Sequence, residues 1–180
     1  MKAIVFTIFI LNFSIINGQS IKANKYINNK LGISIYFDST WSLSYTARDS
    51  MFSADNFSKT ELVTFHYIKP QHPIKVEKYT VQQLGATKAA YKQKYESEEH
   101  SVLSISARND RFMNYDCFVT IALLKGKDYM EGIPFYKTQI SFMTTNGYLV
   151  SYIYLIPEKI YNPKEISYVE EQLKTFRELK

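Results

Sequence analysis

The chain has a single cysteine, Cys117, so an internal disulfide framework and any multi-cysteine zinc or iron–sulfur centre are excluded. Its 3 histidines are too few for a histidine-rich metal centre. His66 and His72 flank a strand end, His100 follows Glu96-Ser97-Glu98-Glu99, and no His-x-x-x-His spacing of a metal-ligand pair occurs. The 6 glycines stand singly, so no Gly-rich phosphate loop is present. There is no Gly-x-Ser-x-Gly elbow to support a serine nucleophile, whatever Asp38, Ser39, Ser42 and Asp49 suggest. Lysine and arginine are dispersed among acidic residues, with no block of about five or more like charges, so a nucleic-acid footprint is absent.

What the chain does have is an N-terminal leader and many aromatic residues. Met1-Lys2 is followed by an uncharged, mostly apolar run from Ala3 to Ile16, then by Asn17-Gly18-Gln19-Ser20. Charge, apolar run and small polar exit form the pattern of a secretory signal. The run is shorter than the roughly 20 residues that span a bilayer, and no later apolar run approaches that length, so no permanent membrane span is expected once the leader is removed. We read residues 1–18 as the signal peptide, with 20 as the alternative end. No cysteine lies at the exit for lipid attachment. The expected location is secreted or periplasmic. Loss of Lys2 takes the formal net charge from +5 to +4, a mildly basic balance.

Residues 21–180 read as one domain, without repeats or a Pro/Gly/Ser linker. Leu31–Phe37 and Trp41–Thr46 alternate apolar and polar residues and predict two strands, joined as a hairpin through Asp38-Ser39-Thr40. Ala47–Lys59 reads as a loop, carrying the glycosylation sequon Asn56-Phe57-Ser58. Glu61–Lys69 is a third strand with Val63, Phe65 and Tyr67 on one face, ended by Pro70 and Pro73. Thr80–Glu96 predicts a helix opened by a Thr80/Gln83 capping box, with Val81, Leu84, Tyr91 and Tyr95 as its buried face. Gly85 lies inside that helix at a cost of roughly 1 kcal/mol relative to alanine, which close packing on a sheet would explain.

Val102–Ala107 and Asp116–Leu124 predict further strands, the latter apolar on both faces and therefore central. Cys117, inside it, reads as a buried small hydrophobe. Phe135–Thr144 and Tyr148–Ile156 form a hairpin about Asn146-Gly147. Asn162-Pro163-Lys164-Glu165 opens a C-terminal helix whose buried stripe is Ile166, Val169, Leu173 and Phe176. The element order gives an α+β fold, an antiparallel sheet of six to seven strands flanked by helices.

The phrase Leu31-Gly32-Ile33-Ser34-Ile35-Tyr36-Phe37-Asp38-Ser39-Thr40-Trp41 resembles the first hairpin of PsbP and Mog1-like domains, with Asp38 where that pattern has proline. The order of helix, hairpin-rich sheet and C-terminal helix is similar too, over Tyr26–Lys180. The resemblance implies an α/β/α sandwich and a mostly non-enzymatic family, and carries over no functional residue.

No cofactor is expected. The first functional reading is an exported, non-enzymatic domain that binds a partner protein or cell-envelope component. Two alternatives stay open. One is a carbohydrate-binding module using exposed tyrosines: Tyr148, Tyr152 and Tyr154 share a strand face, with Tyr136 on the strand before. The other is a small enzyme with a pocket between sheet and helix.

Overall fold

The computed structural model describes residues 19–22, 24–29, 31–45, 51–56, 61–72, 78–97, 100–126, 132–161 and 171–179. The leader assigned to residues 1–18 lies outside them, as do Asn162 to Val169 of the expected C-terminal helix. Among the described residues no helix is long and apolar enough to cross a membrane.

Strands β1 (Gln19–Lys22), β2 (Lys25–Asn28) and β3 (Ile33–Tyr36) form a small antiparallel sheet, completed by β11 (Arg177–Glu178) pairing with β3. A larger sheet has seven strands: β4 (Ser42–Tyr45), β5 (Met51–Asn56), β6 (Glu61–Ile68), β7 (His100–Phe112), β8 (Tyr115–Gly126), β9 (Phe135–Met143) and β10 (Leu149–Pro157). Their order is β4-β5-β6-β10-β9-β8-β7, every pair antiparallel. Helix α1 (Val81–Ser97) packs on the outer face, and the small sheet covers the inner face with Leu173 and Phe176. The α+β class is as the sequence implies, and seven strands fall within the six to seven expected, although the sheet takes in β5 and leaves out β3.

The connection from β3 to β4 corrects the sequence reading, because these strands enter different sheets. Asp38 makes the corner. Its carboxylate accepts from the amide and hydroxyl of Thr40, and its carbonyl accepts from the Trp41 amide and the Asn24 side chain. Phe37 and Trp41, both buried, pin the two sides of the corner with ring centroids 5.8 Å apart.

The stretch read as a loop contains β5. Its inward residues are Phe52, Ala54 and Asn56, so only one large apolar side chain signals the strand. Asn56 is 1% exposed and donates to Thr40 Oγ1 at 3.3 Å, so in the folded chain its amide is not presented for glycosylation.

Between the sheets, aromatic rings pack in sequence. Tyr26 stacks on Phe52 at 4.1 Å, Phe52 on Phe65 at 5.2 Å, and Phe65 on Phe176 at 6.0 Å. Such pairs add about 0.5–1.5 kcal/mol each beyond area burial. Tyr26 and Tyr67 hydroxyls meet at 2.6 Å, and Asn28 Nδ2 donates to both at 3.1 Å. The Asn28 side-chain Oδ1 accepts from the Leu31 amide at 3.0 Å, holding the β2–β3 turn.

Helix α1 begins at the expected capping box: Thr80 N–H donates to Gln83 Oε1 at 2.8 Å, and Gln83 N–H to Thr80 Oγ1 at 3.3 Å. Its buried face is smaller than the sequence suggests. Tyr95 is buried and Tyr91 and Leu84 partly so, while Val81 is 87% exposed. A Cβ added at Gly85 would meet nothing within 4 Å, so close packing does not explain this glycine. Gly85→Ala is therefore expected to stabilise the protein by about 1 kcal/mol, read as a higher urea midpoint at unchanged slope.

At the other end of the molecule, Glu178 of β11 joins three elements. It accepts from the Tyr115 hydroxyl at 2.6 Å, from the Thr145 amide at 2.8 Å and from the Thr145 hydroxyl. Burial alone would raise its pKa, but the hydrogen bonds from Thr145 and Tyr115 outweigh that and hold it below the usual carboxylate range. A depressed native pKa contributes stability that is fully present above the unfolded value and is lost as pH falls through the native one. Urea unfolding is therefore expected to show wild-type stability declining as pH drops from about 5 toward 3, with a flatter acid limb for Glu178→Gln.

Candidate functional site

Tyr136, Tyr152 and Tyr154 share one face, but it is the inner face of the large sheet, and Tyr148 precedes the first residue of β10. Tyr152 and Tyr154 are 0% and 2% exposed, under the small sheet and the C-terminal segment. Their hydroxyls donate to Gln172 Oε1 at 2.8 Å and Glu61 Oε1 at 3.0 Å. Tyr136 is half-buried and stacked on Tyr161 at 3.7 Å, and Tyr148 is half-buried with Lys69 Nζ 5.9 Å from its ring centre. The exposed stacking row is corrected accordingly: the inner face carries the larger apolar cluster, and Tyr152 and Tyr154 fall in phase with it.

Cys117 is buried at 3% exposure on the inner face of β8. It borders a cavity of about 340 Å³ beneath the β7–β8 hairpin, lined also by Phe112, Val119, Ile140 and Lys174. Among the described residues no three His, Cys, Asp or Glu side chains converge to hold a metal ion.

The outer face is where polar side chains gather. Helix α1 rests on the β7–β8–β9 end through Tyr91 and Tyr95, which pack with Ala122, Leu124, Phe135 and Ile105. Tyr79, just before the helix, is held by Asn109 through its backbone amide (2.8 Å) and carbonyl (2.7 Å), and its ring meets Phe118 at 4.9 Å. The helix thus lies toward one edge. Beside it opens a cleft of about 390 Å³ floored by β6, β10 and β9.

Register builds that floor. His66 of β6 pairs with Ser151 of β10, which pairs with Ser141 of β9. Ile153 pairs with Gln139 in the next outward row, and Lys137 follows two residues before Gln139. Ser141 and Ser151 hydroxyls lie 3.1 Å apart, and Gln139 Nε2 donates to Ser141 at 3.2 Å. Helix α1 supplies Ala90, Tyr91 and Lys94 as the wall. Lys137 Nζ sits 4.3 Å from the centre of the Tyr95 ring, a cation–π distance.

Among the described residues, the side chains bordering the cleft include two lysines and a histidine. Partial burial lowers the His66 pKa, and the positive charges of Lys137 and Lys94 lower it further. Burial raises the Tyr91 pKa, against the opposing effect of its hydrogen bond with Gln139. The arrangement is a recess bordered by basic, amide and hydroxyl groups, with an apolar rim at Ile68 and Ile153. Of these cleft residues the sequence points only to His66, weighed and set aside as a metal ligand, and to Tyr91, as part of the buried face of the helix. His66, Lys94 and Lys137 are far apart in the chain, and only the β6–β10–β9 order brings them together.

No protein-family model matches the sequence, and no curated protein matches it. Solved structures do. Cyanobacterial PsbP (CyanoP) from Synechocystis superposes with a TM-score of 0.56 at 11% identity, over 90% of this chain and 93% of that one. The fold is PsbP/Mog1-like. The Ran-binding protein Mog1p of Saccharomyces cerevisiae gives a TM-score of 0.53 at 10% identity, over 89% of this chain and 97% of that one. A Bacteroides thetaiotaomicron protein gives 0.54 at 16% identity over 92% of this chain, which spans 50% of that protein's length. At these identities the likeness is one of fold.

Proposed function

We propose that this is an exported, non-enzymatic domain that binds a partner protein or cell-envelope component through the outer face of its large sheet. One observation carries the reading. The inner face is covered across the sheet, whereas α1 covers only the β7–β9 end of the outer face. The outer side of β5 and β6 is left with half-exposed Ser53, Asp55, Thr64 and His66 and with Ile68 at 58% exposure. A sheet face with alternating hydroxyl, charged and apolar groups, beside a basic cleft, has the mixed character of a recognition surface. One protein of this fold, Mog1p, is described as Ran-binding, which supports a binding role without naming the partner here. Export rests on the leader pattern at residues 1–18.

The test is site-specific photo-cross-linking in the native host. A benzophenone residue at Ile68, beside the cleft, is expected to trap a discrete adduct. The same probe at Val81, more exposed but at the far start of α1, is expected to trap none. The cross-linked chain, recovered from envelope or medium, is expected to begin at Gln19 or Ile21. No adduct at Ile68, equal adducts at both positions, or a chain that keeps Met1 would overturn the reading.

A further inference from the structure

The cavity beneath the β7–β8 hairpin combines a hydrocarbon floor with a charged lip. Phe112 of β7, Cys117 and Val119 of β8 and Ile140 of β9 form the floor, each 3–8% exposed. Such low exposure makes the recess narrow there, which suits a flat ring or a single chain. Met113, at the hairpin tip, borders it at 43% exposure. An apolar void of about 150 Å³ accepts benzene. At about 340 Å³ this cavity has room for a two-ring or medium-chain molecule, and it falls within the range of small-molecule sites.

The lip decides the charge of the ligand. Asp110, Arg111 and Lys174 stand there. Both Asp110 oxygens are taken: Oδ2 accepts from Arg108 Nε at 3.0 Å, and Oδ1 from the Arg111 backbone amide at 2.8 Å. Lys174 Nζ is paired with Glu171. The Arg111 guanidinium has no hydrogen bond, ion pair or ring contact among the described residues. Arg108, Arg111 and Lys174 thus meet two carboxylates, Asp110 and Glu171, and one cation is left over. That cation is the arginine fork, whose planar donors match a carboxylate.

A second observation points to the same place. Met113 has φ +52, a left-handed conformation that glycine and asparagine adopt at least cost in a tight hairpin. A methionine in that position puts a flexible, polarisable thioether on the border of the hydrocarbon floor, where it can adapt to a bound apolar group.

We propose that this cavity binds a hydrophobic monocarboxylate, with its ring or chain against Phe112, Val119, Ile140 and Met113 and its carboxylate on Arg111. The cavity is on the inner face of the large sheet, so this site and the outer-face reading stand or fall separately.

The test is an amide NMR titration of the mature chain with naphthoate, naphthylmethanol, naphthylmethylamine and acetate. Saturable shifts are expected at Val119 and Ile140 with naphthoate. The neutral alcohol should bind about fivefold more weakly, and the cationic amine more weakly still. Acetate should give no shifts, since it lacks the apolar part. Arg111→Gln is expected to weaken naphthoate about fivefold and to leave naphthylmethanol unchanged. Val119→Phe, which fills the floor, should abolish binding of both. Lys88→Gln, on α1, should change neither. Met113→Asn, which suits the left-handed turn, is expected to raise the urea midpoint at unchanged slope and yet to weaken naphthoate.

The amide spectrum of each variant reports whether the fold is retained. Should Val119→Phe lose it, Arg111→Gln, at an exposed position, decides. No saturable shift with naphthoate, binding undiminished in a folded Val119→Phe chain, or equal affinity for naphthoate and the amine would overturn the site. An equal loss of naphthoate and naphthylmethanol in Arg111→Gln would overturn the role of Arg111. A Met113→Asn chain that binds naphthoate as the wild type does would overturn that of Met113.

Discussion

Two sheets of unequal size are held face to face by one buried cluster, and the rest of the molecule is arranged around it. The hydroxyls of Tyr26, from the small sheet, and Tyr67, from the large one, share a hydrogen bond, and the Asn28 amide donates to both. Aromatic stacking alone is tolerant of sliding, because a ring gains nearly as much from an offset neighbour as from a centred one. A hydrogen bond between groups cut off from water is not tolerant, because losing it leaves a buried polar atom without a partner at a cost of about 1–3 kcal/mol. The stack Tyr26–Phe52–Phe65–Phe176 thus supplies cohesion, and the Tyr26–Asn28–Tyr67 cluster fixes the alignment.

This inner core has a consequence for the outer face. Most large buried side chains, including Phe37, Phe52, Phe65, Phe142, Tyr152 and Phe176, are committed between the sheets. What remains outside is a small cluster around Tyr95, Leu124 and Phe135. Helix α1 is consequently held through a few rings, with Val81 and Gly85 in solvent. A helix pinned at Tyr79 and Tyr95 and displaced toward the β7 edge leaves β6 and β10 partly open. The cleft is therefore a product of where the aromatic residues were placed, and its basic character comes from Lys94 and Lys137 meeting beside His66.

Much of this was legible in the sequence wherever the signal was local. The Thr80/Gln83 capping box, the Asn146-Gly147 hairpin with Gly147 at φ +78, and the inward alternation of Val63, Phe65 and Tyr67 were all readable from neighbours in the chain. The α+β class followed from element order, and the likeness to PsbP/Mog1-like domains from the Leu31–Trp41 phrase together with that order. What escaped was non-local or disguised. β11 is two residues long and owes its existence to β3. β5 hides its periodicity because Ala54 and Asn56 take inward positions that usually hold large apolar residues. The β3–β4 corner looks like a hairpin because Asp38-Ser39-Thr40 is good turn chemistry in either geometry. The cleft has no sequence signature at all.

The abundance of tyrosine, the one compositional oddity, now has a physical account that differs from surface recognition. Tyr26, Tyr67, Tyr115, Tyr152 and Tyr154 each place a ring in or against the core and a hydroxyl on a polar partner in another element. Phenylalanine would fill the same volume but leave Gln172, Glu61 and Glu178 each without the tyrosine hydroxyl that now reaches it. In a chain with one cysteine and no disulfide among its described residues, ties between distant segments must be non-covalent. Tyrosine is the side chain that can make such a tie from inside a hydrophobic layer, since its body is apolar and only its tip needs a partner. Two of the residues that suggested a binding surface, Tyr152 and Tyr154, instead help hold the domain together.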